Sequence, residues 1–248
     1  MTSFKTRLRA GDLLIGPMIT LRSTETAELL AGLGYDWLFI DTEHTPMGPP
    51  EVHALLQAAG AVPCLIRLPS SDVTAISKAL DAGAAGIIAP QVNSAEQARL
   101  IVTSARYAPE GSRGRGVARA HAYGQKLAEY TQTANETVVV VVQAEHPDAI
   151  ANIDAIVDVE GLDGVLVGPY DLASSLGHPG DVDHPDVVAA IRRVRDACRA
   201  KRLPAGILGI SAQTVRTYIA EGFTLVIAGI DVLMLGEAAK AMLGEVKA

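Results

Sequence analysis

The chain has 248 residues, of which 49% are hydrophobic and only 4% are aromatic, so its core is expected to be aliphatic. The net charge of −7 and the scattered Lys and Arg residues offer no surface for a phosphate backbone, which disfavours nucleic acid as a partner. No apolar run approaches the roughly 18 residues of a membrane helix, and two cysteines outside any C-x-x-C spacing favour a reducing compartment. We therefore expect a cytoplasmic protein with one domain over residues 1–248 and no membrane partner.

Helices and strands are predicted to alternate along the chain. A short helix at residues 4–9 precedes a strand at 13–19, and the next helix begins at Ser23 and ends at Gly34. A buried strand follows within residues 36–41. The later elements are a helix opened by Pro49 and Pro50, a strand at 64–68, a helix capped by Asp72, a strand at 87–92, a helix capped by Ser94, and four strands that begin near Val138, Gly164, Ala205 and Leu225.

A joint in which a helix ends in glycine and a buried strand follows within a few residues recurs four times, as GLGYDWLFID, DAGAAGIIAP, VEGLDGVLVGP and AEGFTLVIAG. This joint indicates βα units wound in one sense, and eight such strands predict a (β/α)8 TIM barrel. A doubly wound open sheet is the alternative. Residues 109–124, PEGSRGRGVARAHAYG, interrupt the rhythm and predict a long loop at the catalytic end of the barrel.

Ionisable side chains follow several of the buried strands at their C-terminal ends. Because the carboxyl ends of parallel strands meet at one face, these side chains are expected to line a common polar pocket. Buried groups of this kind need partners. They are Asp41, Glu43 and His44 after DWLFI, Arg67 at the end of PCLIR, Glu145 at the end of VVVVVQAE, and Asp171 at the end of GVLVGPYD.

The residue types in this pocket favour particular chemistry. Two carboxylates at neighbouring strand ends, Glu145 and Asp171, suit a hard divalent cation whose coordination the substrate completes, although each could instead cap or begin a helix. Arg67 needs an anionic partner, which is Asp41, a substrate oxygen that becomes negative during the reaction, or both. His44 is interpreted as a general acid or base rather than as a satisfied surface histidine.

The segments DWLFIDTEH, LIRLP, VVVQAE and GVLVGPYDLASSLG together resemble the HpcH/HpaI class II pyruvate aldolase family over nearly the whole chain. The resemblance implies a barrel that uses Mg²⁺, Mn²⁺ or Co²⁺ to cleave or form carbon–carbon bonds between a 2-keto acid, pyruvate or hydroxypyruvate, and an aldehyde. It makes Glu145 and Asp171 the metal ligands, Arg67 the stabiliser of the enolate and carbonyl, His44 the base acting directly or through water, and Gln143 a contact either of the substrate or of the metal ligands.

The turn that begins at Pro169 supplies further predicted substrate contacts. Backbone N–H groups of this turn are expected to hold the substrate carboxylate. Tyr170 stands where a small residue is common in the family, so it either bears on substrate choice or only packs. Asp41 is also assigned to the substrate site, beside Arg67.

Asp81 poses a geometric problem. The family resemblance pairs it with His44 as an orienting dyad, yet it ends a helix just before the fourth predicted strand, on the opposite face of its own barrel. Either it reaches the site of a neighbouring subunit or it is satisfied locally. Family members are typically hexamers, and the apolar C-terminal residues around Leu235 and Met242 are expected to dock on another protomer.

Two competing functions are considered on the same scaffold. A CoA-thioester lyase of the citrate-lyase β type would need a basic patch or a phosphate-gripping glycine loop, and neither is found. A non-catalytic barrel that binds a metal and a keto acid is disfavoured because His44 and Arg67 stand beside the ligands. The aldolase interpretation is preferred.

Overall fold

The computed structural model describes residues 3–247 and arranges eight parallel strands in a closed barrel. Each strand pairs with the next in chain order, and β8 pairs back with β1. The predicted (β/α)8 barrel is confirmed, and the doubly wound alternative is wrong. The strands are β1 (Leu14–Ile19), β2 (Leu38–Asp41), β3 (Cys64–Arg67), β4 (Gly86–Ala89), β5 (Val139–Ala144), β6 (Gly164–Val167), β7 (Ala205–Gly209) and β8 (Leu225–Ile230).

Helices follow the strands and cover the outside of the barrel. Ser23, Asp72 and Ser94 cap helices as predicted, because the side-chain oxygen of each accepts a hydrogen bond from a backbone N–H in the first turn. The helices are α1 (Phe4–Ala10), α2 (Thr24–Gly32), α3 (Pro49–Ala58), α4 (Val73–Asp81), α5 (Ala95–Ala105), α6 (Leu127–Thr137), α7 (Pro147–Ala151), α8 (Ile153–Val157), α9 (Pro169–Ser175), α10 (Pro185–Ala200), α11 (Ala212–Glu221) and α12 (Asp231–Lys247).

The apolar side chains form two layers. One fills the barrel between Trp37 and Leu14 at the N-terminal end and Met18 and Leu166 near the C-terminal end. The other lies between the strands and the helices. Every residue of β5 is buried on both faces, which explains its continuous run of valines. None of the helices in residues 3–247 has the length and hydropathy needed to cross a bilayer.

Buried ion pairs close the N-terminal end of the barrel. The fully buried carboxylate of Asp163 binds Lys5 at 3.2 Å, Arg9 at 2.8 Å and Arg106 at 3.0 Å. Lys5 and Arg106 are buried and would be expensive to bury alone, and the shared carboxylate offsets that penalty, whereas Arg9 reaches Asp163 from the surface. The network fixes α1 across the end of the barrel that is opposite the predicted site.

Asp231 ties the first and last strands together at the C-terminal end. Its buried carboxylate accepts hydrogen bonds from the backbone N–H groups of Thr20 and Leu21, each at 3.0 Å. These two residues follow β1, whereas Asp231 begins α12 directly after β8. The contact therefore fastens the closing seam of the barrel on the side where the site lies.

The long loop at residues 109–124 lies at the N-terminal end of the barrel, so its predicted position at the catalytic end is wrong. Arg119 donates hydrogen bonds to the carbonyl oxygens of Ala82 at 2.9 Å and Leu56 at 3.2 Å, and both acceptors lie where helices return to the next strand. The loop follows α5 rather than β4, because α5 has already carried the chain back across the barrel.

Candidate active site

Two adjoining cavities open at the C-terminal ends of the strands. The larger, of about 440 Å³, is within the range of roughly 300–1,000 Å³ that is usual for small-molecule sites. The smaller measures about 280 Å³, and His44 and Asp171 border both. Every predicted site residue except Asp81 lines one or both: Asp41, His44, Arg67, Gln143, Pro169, Tyr170 and Asp171 line the larger, and Glu145 lines the smaller with His44 and Asp171.

Arg67 and Asp41 form a bidentate ion pair inside the site. They lie directly opposite each other in the β2–β3 register, which brings Arg67 Nε within 2.8 Å of Asp41 Oδ1 and Nη2 within 2.8 Å of Oδ2. Glu43 Oε2 is 3.3 Å from the same Nε. Both partners of the main pair are buried, and such planar, forked pairs hold the guanidinium in one orientation. Arg67 is thus presented to the larger cavity in a fixed position.

Glu145 is held by two donors and faces other carboxylates. The Gln91 N–H donates to its Oε1 at 2.8 Å, and the Gln143 amide donates to its Oε2. Burial, helped by the negative charges of Glu43 and Asp171, raises the pKa of Glu145 to about 7, against the lowering effect of the hydrogen bonds from Gln91 and Gln143. Burial also raises the pKa of Glu43, against the lowering effect of Arg67. Three acidic groups that repel one another are a favourable setting for a cation.

Three buried side-chain oxygen atoms that line these cavities accept no hydrogen bond within the described residues: Glu43 Oε2, Asn93 Oδ1 and Gln143 Oε1. Glu43 Oε2 is nevertheless paired with Arg67 at 3.3 Å, whereas the two amide oxygens have no cationic partner within those residues. Buried oxygens without a donor are rare and require an explanation such as an ion or a ligand. Together with the raised pKa of Glu145, the amide oxygens make the donor set fit a hard divalent cation, because such cations prefer oxygen ligands.

Glycine at position 168 leaves room for the side chains of Gln143 and Glu145. A Cβ atom there would lie 2.8 Å from Gln143 Nε2 and 2.9 Å from Glu145 Oε2, closer than such atoms approach. Gln91 contributes through a strained backbone, since its φ of +55° is uncommon for a residue other than glycine. This turn also ends β4 at Ala89, short of the predicted 92. Neither residue was predicted, although a glycine just before Pro169 was a usable signal for the first.

His44 and Asp81 lie at opposite ends of the barrel in one chain. The side chain of His44 is 59% exposed at the cavity mouth, with Nε2 3.7 Å from Glu43 Oε2. Asp81 ends α4 and pairs with the buried Arg113 at 2.8 Å, and Arg113 in turn lies over the Tyr107 ring at 4.7 Å. The predicted dyad therefore does not form within one chain, and Asp81 has a local partner.

A second group of potential metal ligands lies outside both cavities. His178, His184 and Asp186 converge on the loop before α10, where the two imidazole rings stack with centroids 3.4 Å apart. The Asp186 carboxylate is 3.4 Å from His178 Nε2 and 3.7 Å from His184 Nδ1. These contacts account for the three side chains as a hydrogen-bonded surface cluster at the start of the helix.

An α/β barrel with a buried arginine and a cluster of carboxylates at its strand ends is the arrangement expected of an enzyme for small anionic substrates, and its oxygen donors fit a divalent cation. Residues 18–238 match the family described as HpcH/HpaI aldolase/citrate lyase, and the chain belongs to it. The predicted family is confirmed.

Relatives and a solved structure agree with this assignment over the full length. The chain is 41% identical to hydroxypyruvate/pyruvate aldolase of Sagittula stellata over 98% of this chain and 96% of the relative. It is 40% identical to 4-hydroxy-2-oxo-heptane-1,7-dioate aldolase of Klebsiella pneumoniae, over 97% of this chain and 92% of the relative. An HpcH/HpaI aldolase/citrate lyase family protein from Burkholderia cenocepacia superposes with a TM-score of 0.95 at 37% identity and 98% coverage of both chains. The predicted enzyme class, a carbon–carbon lyase of aldolase type, is confirmed.

Proposed function

We propose that this protein catalyses the reversible aldol reaction between a 2-keto acid, pyruvate or hydroxypyruvate, and an aldehyde, giving a 4-hydroxy-2-keto acid. One observation carries the proposal: a fixed, buried guanidinium at Arg67 lines one cavity, and the carboxylates of Glu43, Glu145 and Asp171, which suit a cation, line the adjoining one. Relatives at about 40% identity that are named as aldolases for such acids support it. Their names differ in the keto acid and in the charge of the product.

Glu145 and Asp171 are the proposed ligands of a divalent cation, Mg²⁺, Mn²⁺ or Co²⁺. The raised pKa of Glu145 and the free oxygen of Gln143 support this assignment. Such an ion, when bound, supplies a Lewis acid that draws negative charge onto the keto oxygen. Both residues line the smaller cavity, where Asp171 is exposed and Glu145 is buried. An ion held by the pair would therefore lie between the solvent-facing and the buried parts of that cavity.

Arg67, Asp41 and His44 are proposed to carry the chemistry of the chain itself. Arg67 donates to the keto oxygen as it gains negative charge, and Asp41 keeps the guanidinium in place. His44 takes the proton from the methyl or hydroxymethyl carbon, directly or through a water molecule, from its position at the mouth. Gln143, Pro169 and Tyr170 complete the substrate contacts.

The working assembly is proposed to be a cytoplasmic homohexamer whose sites are shared between subunits. Support comes from α12, whose apolar side chains are largely exposed in one chain, including Leu235, Met242 and Val246. In this arrangement Asp81 orients His44 of a neighbour. Mixing His44→Ala and Asp81→Asn subunits, each inactive alone, restores activity if the residues act across an interface. Failure of mixed oligomers to regain activity would leave Asp81 with its local role beside Arg113.

Proton exchange from the methyl group of pyruvate into deuterated water, followed by NMR, tests the proposed function without knowledge of the aldehyde. We expect exchange that requires Mn²⁺ or Mg²⁺, stops with a chelator, and is lost in His44→Ala. If neither pyruvate nor hydroxypyruvate exchanges with any of the three metals, the aldolase proposal fails. A CoA-thioester lyase or a non-catalytic keto-acid binder would then replace it.

A further inference from the structure

The larger cavity has an apolar side that the proposed catalytic residues do not use. The polar groups lie at the ends of β2, β3, β5 and β6, whereas the opposite wall comes from β1, β7, β8 and the start of α12, with one residue from β6. Apart from Thr20, whose hydroxyl already donates to Asp231 at 2.6 Å, the side chains on this wall are aliphatic or methionine. They are Met18, Leu166, Leu208, Ile227, Ile230 and Val232.

The apolar wall is continuous with the hydrophobic core inside the barrel and extends it toward the C-terminal ends of the strands. Met18, Leu166 and Ile227 belong to the buried layer that fills the barrel, and Leu208 and Ile230 pack on that layer while remaining partly exposed. Leu208 lies directly opposite Ile227 in the β7–β8 register, so their side chains meet on the same surface. A substrate tail on this side of the cavity would contact hydrocarbon and find no hydrogen-bonding side chain on these six residues.

Positive charge is confined to the other side of the cavity. Among the described residues that line it, the basic side chains are His44 and Arg67, and Arg67 is already engaged by both oxygens of Asp41. Arg22, on the loop after β1 at the same end of the barrel, is exposed, lies near Glu51, and is not part of the lining. A second carboxylate on the acceptor would therefore be placed against an apolar wall without a cation to meet it.

We infer that the acceptor is a neutral aliphatic aldehyde rather than an aldehyde that carries a terminal carboxylate, and that Leu208 and Ile230 set this preference. The inference rests on the proposed function, because it names the second substrate of the same site. Apolar burial favours the alkyl tail in proportion to the area that it covers. Binding of a carboxylate tail is disfavoured, because the carboxylate would lose its hydration against this wall without gaining a cationic partner.

Competition between butanal and succinic semialdehyde, which have the same number of carbon atoms, tests the inference with pyruvate as the donor. We expect kcat/KM for butanal to exceed that for succinic semialdehyde on the order of 100-fold, because only one tail must give up the hydration of a charge. A preference for succinic semialdehyde, or equal values, overturns the inference. Methyl-proton exchange is measured in parallel, so a failure of the donor reaction is recognised separately as a failure of the proposed function.

Binding provides a readout that does not depend on turnover. Calorimetric titration of the Mn²⁺-loaded protein with 2-oxoheptanoate and with 2-oxopimelate compares an alkyl tail with a carboxylate tail of the same length. We expect the alkyl compound to bind at least about tenfold more tightly. Tighter binding of the diacid would contradict the assignment of the apolar wall to the acceptor.

Substitutions in the wall connect the preference to particular residues. Leu208→Arg is expected to shift the ratio of kcat/KM values at least about tenfold toward succinic semialdehyde, because it supplies the missing cation. Leu208→Met, which nearly conserves volume and adds no charge, is the matched control and should leave the ratio within about threefold. Ile230→Lys repeats the test from β8 if the first variant does not fold. Unchanged ratios in folded charged variants would remove Leu208 and Ile230 from the acceptor site.

Discussion

Replacement of Arg67 by alanine should impair both catalysis and folding stability. The proposed contact of Arg67 with the keto oxygen, taken alone, predicts a severe loss of activity in a largely intact fold. The structure adds a second effect, since the same side chain neutralises Asp41 through two hydrogen bonds of 2.8 Å and approaches Glu43 at 3.3 Å. Removing it leaves two acidic groups facing each other in a buried setting.

The magnitudes follow from those contacts. Loss of one donor to a developing oxyanion typically reduces the rate by a factor of about 100 to 1,000, and we expect that reduction in methyl-proton exchange. Breaking a buried ion pair usually costs about 3–5 kcal/mol. We expect the lower end, about 3 kcal/mol, because Arg67 borders an open cavity from which water can reach Asp41.

Urea unfolding and proton exchange, measured on the same preparations, separate the two effects. Arg67→Ala combined with Asp41→Ala should be less destabilising than the sum of the single changes, because no buried carboxylate at position 41 is left unpaired in the double variant. Exchange within tenfold of the parent protein by a folded Arg67→Ala variant would refute the catalytic role. Additivity within about 0.5 kcal/mol would refute the energetic coupling of the pair.

Three further predictions concern Glu145. Gln91→Pro removes the N–H that donates to Glu145 and also cannot adopt the positive φ of this turn, so it should weaken Mn²⁺ binding at least about 10- to 100-fold by calorimetry, whereas Gln91→Gly keeps both the donor and the positive φ and should retain affinity. Gly168→Ala should weaken binding at least about tenfold, while Gly114→Ala, whose added Cβ meets no atom within 4 Å, should not. With its pKa raised from 4.5 to about 7, Glu145 binds more protons in the folded chain, so metal-free stability should fall as pH rises through that window. Because Mn²⁺ must displace this proton, its stabilising shift in Tm should be larger at about pH 8 than at about pH 6, and equal shifts would contradict the assignment.

Local signals were sufficient to predict most of the fold. Ser23, Asp72 and Ser94 precede apolar helical patterns, and the cap that each forms depends only on its own first turn. Helix-ending glycines likewise mark the joints before strands. The position of the 109–124 loop could not be inferred in this way, because it depends on which end of the barrel α5 reaches before the loop begins.

Sequence patterns could predict the site residues whose side chains follow strand ends, but not the contributions that come from the backbone. Arg67 and Asp41 could be paired because both end adjacent strands in a parallel barrel. Gln91 supports Glu145 through a main-chain N–H in a left-handed conformation. Because the side chain of Gln91 takes no part, the residue type gives no sign of this contact. Gly168 matters through the space that it leaves, and that space is defined only once β5 and β6 are side by side.

The seam held by Asp231 sets an order of events during synthesis. Thr20 and Asp231 are 211 positions apart, so a ribosome adding roughly 5–20 residues each second needs about 10–40 s to deliver the second after the first. Throughout that interval β1 lacks the neighbour on one side that β8 later supplies, and an unpaired strand edge of this kind invites association with other chains. The apolar wall of the cavity draws on the same late segment, so the nascent chain acquires its complete pocket only when the last strand arrives.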